Sequence, residues 1–399
     1  MSPTTQPGQP DNASEAGESI DSLQIGMHWF TERPGGLDRM FKALVDTLPQ
    51  QGVNVRGMVA GSPDVLSASG GSVHAFASAQ AHLGTRLWRS RAQSRAFRHA
   101  KMPDVVASHF ALYAAPTAGM FIRVPKVVHF HGPWAAESYP DGGGGLSRAF
   151  RLGLERFVYR GATRHIVLSQ AFGQILRETY GVREDSIRIV PGCVDVAQFA
   201  IRATQQQARQ RLRVPQDRPL VFCVRRLVSR MGLEDLIDAL AIVKPMLPDV
   251  LLTIAGKGPL EAQLQARIIA RGLERNVRLA GYVPDEQLPL WYRAADLTVV
   301  PTVSLEGFGL TTIESLAAGT PVLVTPVGGL PEAVAPLSPD LVLQSGGFKE
   351  IGAGIADVLL GRRTVPDSAA CRAYARKHFD RPVIAAQVAQ VYREAIGAF

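Results

Sequence analysis

At 399 residues the chain is too long for one ordinary hydrophobic core, so two domains are expected. With 46% hydrophobic and 20% charged residues it has the composition of a soluble globular protein, and it contains no run of eighteen apolar residues that would span a membrane as a helix. A net charge of +8 points to anionic partners, such as phosphorylated small molecules, an acidic membrane surface or nucleic acid, with a plain solubility charge as the blander reading.

Residues 1–22 are polar and rich in Ser, Pro, Gly and acids. They lack the basic and apolar regions of a secretory signal and are expected to form a disordered tail. Residues 24–30 read as the first strand. A loop with Gly35 and Gly36 and a helix over residues 37–50 follow, and residues 53–60 form a second strand. This βαβ opening carries a Gly-Gly turn suited to phosphate but lacks the G-x-G-x-x-G dinucleotide fingerprint. Residues 86–101 hold six basic residues and no acid, interleaved with Leu87, Trp88 and Phe97. Such a helix suits an anionic bilayer; the alternative is a solvated helix that packs Trp88 and Phe97 into its own domain. No nucleic-acid module accompanies it.

Residues 104–109 and 126–131 read as further parallel strands. His131 stands at the carboxyl end of the second, before Gly132, where open α/β sheets bind ligands. His129 is read as facing the opposite side and structural. The glycine-rich loop over residues 135–145, with Glu137 and Asp141, is expected near an entering acceptor. An amphipathic basic helix over 146–161, a strand over 163–169 and a strand over 187–195 complete the first half. Residues 200–219, rich in Gln and Arg, read as a linker. Cys193, Cys223 and Cys371 fit neither a metal site nor a disulfide framework, which suggests a reducing cytoplasm.

The second half opens with a strand and a basic loop holding Arg225, Arg226 and Arg230, the logic of a diphosphate clamp. A strand over 250–255 runs into a glycine turn with Lys257 and Gly258, and another over 277–281 leads to Tyr282 and Val283. The β-branched run 297–300 then precedes Glu306, Gly307, Phe308, Gly309 and Leu310. A glycine turn at a helix start exposes free N–H groups and the positive end of the helix dipole, a phosphate site. Glu314, two turns further on, suits sugar hydroxyls. The last helix, about residues 382–399, is amphipathic.

Glu306 and Glu314 resemble the two glutamates of the E-x7-E motif of retaining glycosyltransferases with the GT-B fold, family 4 in particular. The likeness extends from about Gln24 to the C-terminus. It implies an α/β protein of two Rossmann-like domains facing across a cleft: an acceptor domain over 23–198, on which the final helix packs, and a nucleotide-sugar domain over 199–381. It implies that His131 contacts the donor sugar, that Arg226 and Arg230 stabilise the departing diphosphate, and that Glu306 holds sugar hydroxyls. Gly307, Phe308, Gly309 and Leu310 would receive sugar and phosphate, Glu314 the ribose, and Gly35 and Gly36 would close on the phosphates. Lys257, Gly258, Tyr282 and Val283 would lie beside the nucleotide. The family pattern G-R-L-x-x-x-K-G is met at Arg226, but Arg225 replaces its glycine and Met231 its lysine; Arg230 stands one position before the missing charge. No Asp-x-Asp stands in a metal-binding context, so transfer of a hexose-type sugar without metal or cofactor is expected, on the cytoplasmic membrane face in bacterial polysaccharide or glycolipid assembly. A sugar-nucleotide 2-epimerase of the same fold and a non-catalytic sugar-nucleotide-binding protein are the alternatives.

Overall fold

The computed structural model describes residues 19–137 and 145–399. Residues 1–18 of the expected tail and the core of the expected acceptor loop, residues 138–144, lie outside the described residues. Within them two parallel sheets form. The first runs β3-β2-β1-β4-β5-β6-β7, from β1 (Ile20–His28), β2 (Val53–Ala60), β3 (Val73–Ala77), β4 (Val105–Ser108), β5 (Lys126–Phe130), β6 (Arg164–Val167) and β7 (Ile187–Ile189). The second runs β10-β9-β8-β11-β12, from β8 (Leu220–Val224), β9 (Leu251–Ala255), β10 (Val277–Gly281), β11 (Leu297–Val300) and β12 (Val322–Val324). Each order reverses beside its first strand, the doubly wound arrangement of two Rossmann-like units.

Both sheets are covered on both faces by helices, so their strands read as buried runs rather than alternating ones. This explains two departures from expectation. β1 begins at Ile20 and takes in Asp21 and Ser22, which polarity had assigned to the tail. Their side chains are buried with partners: the Asp21 carboxylate pairs with Arg56 and Lys101, each at 2.9 Å, and the Ser22 hydroxyl donates to the Asn54 carbonyl at 3.0 Å. The linker over 200–219 also holds a helix, Gln205–Leu212, started by a capping box between Thr204 and Gln207. Its Arg209 is buried and reaches Asp296 at 2.7 Å, so this basic stretch is anchored to the second unit.

The final helix, Arg381–Gly397, leaves the second unit and packs on the first sheet. It buries Ile384, Val388 and Tyr392 among Val105, Val127 and Ile166. The basic helix expected over 86–101 spans Leu83–Ala100 and divides the two readings offered for it: Phe97 is buried, whereas Trp88 is 65% exposed. No described helix is long and apolar enough to cross a membrane.

Candidate active site in the cleft

The carboxyl ends of β8 and β11, neighbours at the switch point of the second sheet, bring Arg225 and Glu306 together. Arg225 Nη2 donates to Glu306 Oε2 and to the Thr302 hydroxyl, and Thr302 donates to the same carboxylate oxygen at 3.0 Å. Both charged side chains are nearly buried, 7% and 13% exposed. Leu305, immediately before Glu306, has a left-handed backbone (φ 54°), and its carbonyl accepts from Arg230 at 2.8 Å. Such a conformation in leucine costs about 1–3 kcal/mol and persists only where its surroundings fix it.

Glu306 leads through Gly309 (φ 76°) into the helix Leu310–Ala318. The hydroxyls of Thr311 and Thr312, at its first turn, have no partner among the described residues, and neither has Arg225 Nε. The start of this helix follows closely on Glu306 in the chain, so its unpaired N–H groups and the Arg225 guanidinium beside Glu306 are donors suited to phosphate. The first unit closes against it. A Cβ on Gly192 would lie 2.5 Å from Leu310, a Cβ on Gly36 would lie 4.0 Å from it, and one on Gly307 would lie 2.5 Å from the Phe172 ring. Behind it Gly328 is left-handed (φ 57°), and a Cβ there would lie 2.0 Å from the Glu306 carbonyl.

Glu314 is buried in the same helix. Its Oε2 accepts from the Tyr292 hydroxyl at 2.9 Å, and its Oε1 lies 3.5 Å from Arg39, which also reaches Asp285 at 2.9 Å. Arg39 belongs to the first unit's opening helix, Gly36–Thr47, so this pairing bridges the cleft. Burial and the neighbouring Glu314 push the Tyr292 hydroxyl well above its ordinary pKa, which keeps it a donor. A second bridge places the Glu332 carboxylate on the Gln170 and Ala171 N–H groups, at 2.7 and 3.0 Å, at the N-terminus of the helix Gln170–Tyr180.

On the first unit's side stand three histidines. The rings of His129 and His131 are nearly parallel, 6.3 Å apart, with His109 stacked against both. His129 therefore shares a face with His131 instead of opposing it, as strand alternation requires for residues two apart. A hydrogen-bond chain orders them. His109 Nε2 lies 3.0 Å from Gln24 Oε1, His109 Nδ1 lies 3.1 Å from His131 Nε2, and His129 Nε2 lies 2.8 Å from the Tyr392 hydroxyl. Gln24 donates to Tyr392 at 3.0 Å and to Ser22 at 3.1 Å. Burial lowers the His131 pKa to about 4, and burial with the neighbouring rings holds His109 and His129 well below 6.5, so all three are neutral at pH 7.

The tautomers follow. Gln24 Oε1 can only accept, so His109 carries its proton on Nε2 and its Nδ1 is a lone pair. His131 must then donate from Nε2, which leaves its own Nδ1 as a hydrogen-bond acceptor. The turn after His131 is pinned by the fully buried Glu155, which accepts from the Trp134 and Ala135 N–H groups at 3.0 and 3.3 Å and from the Tyr159 and Tyr180 hydroxyls at 3.2 and 3.0 Å.

The remaining expected residues divide. Arg226, expected to face the leaving group, is exposed and has no side-chain hydrogen bond or ion pair among the described residues; the adjacent Arg225 stands beside Glu306. Met231 is buried in the second unit's core and supplies nothing to the cleft. Lys257 lies over the exposed Tyr282 ring at 5.9 Å, Gly258 allows the Leu227 backbone within 2.4 Å of where a Cβ would stand, and Val283 packs on the core. Sequence reasoning missed Arg39, Asp285, Tyr292, Thr302, His109, Gln24 and Tyr392. Gln24 carried a readable signal: a glutamine between Leu23 and Ile25 in a buried strand needs partners. Among the described residues no group of His, Cys, Asp or Glu is arranged to hold a metal ion.

Residues 34–198 match the family model described as Glycosyltransferase Family 4, and residues 204–378 match Glycosyl transferases group 1. Mannosylfructose-phosphate synthase of Agrobacterium fabrum is 32% identical over 233 residues, 53% of this chain and 51% of that protein. 2-Deoxystreptamine glucosyltransferase of Streptomyces kanamyceticus is 27% identical over 63% of this chain and 65% of its own length. The chain thus spans about half to two thirds of the curated relatives it matches. Among solved structures, sucrose-phosphate synthase of Thermosynechococcus elongatus superposes with a TM-score of 0.76 at 22% identity, over 95% of this chain and 100% of that one. Anabaena HepE in complex with UDP-glucose superposes with a TM-score of 0.74 at 20% identity, over 94% and 100% of the two chains. Those likenesses show the fold, and the two family models take in nearly all of both α/β units: the chain belongs to the family 4 type of glycosyltransferases with the GT-B fold.

Proposed function

We propose that this chain moves a hexose-type sugar from a nucleotide-diphosphate sugar to a hydroxyl of a glycan or lipid-linked acceptor, with retention and without a metal ion. The observation that carries this reading is the donor set between Arg225 and the start of the Leu310–Ala318 helix, next to Glu306, at the switch point of the second sheet. The diphosphate binds the helix N-terminus, with Arg225, Arg226 and Arg230 balancing its charge. Glu306 takes sugar hydroxyls in exchange for its contact with Thr302. Glu314, with Arg39 and Tyr292 behind it, receives the ribose. His131 accepts a sugar hydroxyl at Nδ1. The acceptor oxygen attacks the anomeric carbon on the face from which the diphosphate leaves, and the leaving phosphate oxygen takes the hydroxyl proton. The complex of Anabaena HepE with UDP-glucose supports a nucleotide sugar as donor.

We assign the activity to bacterial polysaccharide or glycolipid assembly in the cytoplasm, at the inner membrane face. Supporting this are the basic helix Leu83–Ala100 and its exposed Trp88. A screen of UDP-, GDP- and ADP-sugars, read by nucleotide release, tests the donor assignment. Glu306→Ala should fold normally and lose most turnover, and EDTA should leave the rate unchanged. Wild-type transfer by Glu306→Ala would overturn the site, and a rate that needs added divalent metal would overturn the metal-free mechanism. Retention of fewer than half the molecules on anionic vesicles at low salt would remove the membrane assignment.

A further inference from the structure

We propose that the first unit carries a second binding site, remote from the cleft, for a single aliphatic chain with an anionic head group. A cavity of about 290 Å³ lies between the face of β1, β4 and β5 and the covering segments Ala115–Met120 and Gly145–Arg160. Ile25, Val106, Val128, Phe121 and Val158 line it. Protein interiors pack with few voids larger than a water molecule, and this one matches the low end of ligand pockets, roughly 300 Å³. Its lining excludes a sugar or a nucleotide, whose polar groups would be buried with almost nothing to bond.

Three polar side chains line it: the Thr117 hydroxyl donates to the Ala114 carbonyl at 2.7 Å, and the other two lack partners among the described residues. Ser108 is 7% exposed, and its hydroxyl bonds nothing among the described residues. Lys126, half-buried, makes no side-chain hydrogen bond or ion pair there, and burial lowers its pKa. An ammonium half-buried at the mouth of an apolar cavity is stabilised by an anion seated beside it. Phe157 is 61% exposed beside Lys126 in the lining, and Gly119 and Gly161 are exposed too, so the cavity opens at the amino end of β5. His131 follows the other end of that strand, about 16 Å away. The site is therefore separate from the donor cleft and independent of the reading given for it. With about 30 Å³ per methylene, the room of one water molecule, the cavity takes a chain of about ten carbons.

The test is calorimetric titration of the full chain, below micelle-forming concentrations, with dodecanoate, dodecyl phosphate and dodecyltrimethylammonium. Dodecanoate or dodecyl phosphate should bind one to one, and the cation should not. Tighter binding of dodecanoate assigns a free fatty acid, and tighter binding of dodecyl phosphate a lipid phosphate. Lys126→Gln should weaken the anionic probe about tenfold or more, the loss of one charge-assisted hydrogen bond. Val158→Phe should abolish binding by filling the cavity; should that variant fail to fold, Lys126→Gln still decides. No saturable binding to the wild type, equal binding of the cation, or unchanged affinity in Lys126→Gln would overturn the proposal.

Discussion

Gln24→Leu tests whether the protonation pattern at His131 is dictated from inside the sheet. Leucine has nearly the same volume, so the substitution removes hydrogen bonds without opening a hole. It deletes the acceptor for His109, at 3.0 Å, and the donor to Tyr392 and Ser22, at 3.0 and 3.1 Å. At about 1 kcal/mol for each neutral hydrogen bond, and more where a buried donor is stranded, the loss is about 2–4 kcal/mol. His109 then avoids an unpaired N–H by moving its proton to Nδ1, and His131 must turn its own proton outward. On the proposed function a sugar hydroxyl then loses its acceptor, so turnover should fall about tenfold, the equivalent of ~1.4 kcal/mol. Urea unfolding measures the first effect. Long-range ¹H–¹⁵N correlation on histidine-labelled protein measures the second, by showing which nitrogen of His131 carries the proton. A wild-type His131 protonated on Nδ1, or a variant within about 0.5 kcal/mol of wild type in stability, would refute the reasoning.

Arg225→Met should remove the cation beside Glu306 and lower turnover by about two orders of magnitude, as loss of a charge-stabilising donor does, measured by nucleotide release. A rate that depends instead on Arg226 alone would return the role to that residue. Glu155→Ala removes the acceptor of two N–H groups and two tyrosine hydroxyls and should cost about 3–5 kcal/mol in urea unfolding. Arg39→Met, which releases Glu314 and Asp285 across the cleft, should raise the donor KM more than it lowers kcat. Stability should fall as pH drops from 6.5 toward about 4. In that window the unfolded chain binds protons that buried His28, His109, His129 and His131 refuse, and Asp38, raised to about 6 by burial, offsets only one of them. Thermal melts across that range measure it.

The fold was legible because parallel sheets leave long apolar runs and glycine turns between helices. The position of Glu306 and Glu314, eight residues apart around a glycine turn, was legible for the same reason. Contacts that depend on which of two adjacent residues turns inward at a strand exit were not, and the pairing of Arg225 with Glu306 is such a case. The opposed placement of His129 misapplied the two-residue period, which puts it beside His131. Arg39 and Tyr292 meet Glu314 only through the closing of the two units, information that no local window holds.

The helix Arg381–Gly397 has a consequence for how the protein is made. Gln24 and Tyr392, partners in the buried histidine network, are 368 residues apart. At roughly 5–20 residues per second, a ribosome needs about 20–70 s to supply the second after the first. Until then the first sheet has its strands but lacks the hydroxyl that Gln24 and His129 bond, and the apolar surface awaiting Ile384 and Val388 is open to water. The half of the molecule synthesised first is thus among the last to be finished, and cells that make it quickly depend on keeping that surface covered in the interval.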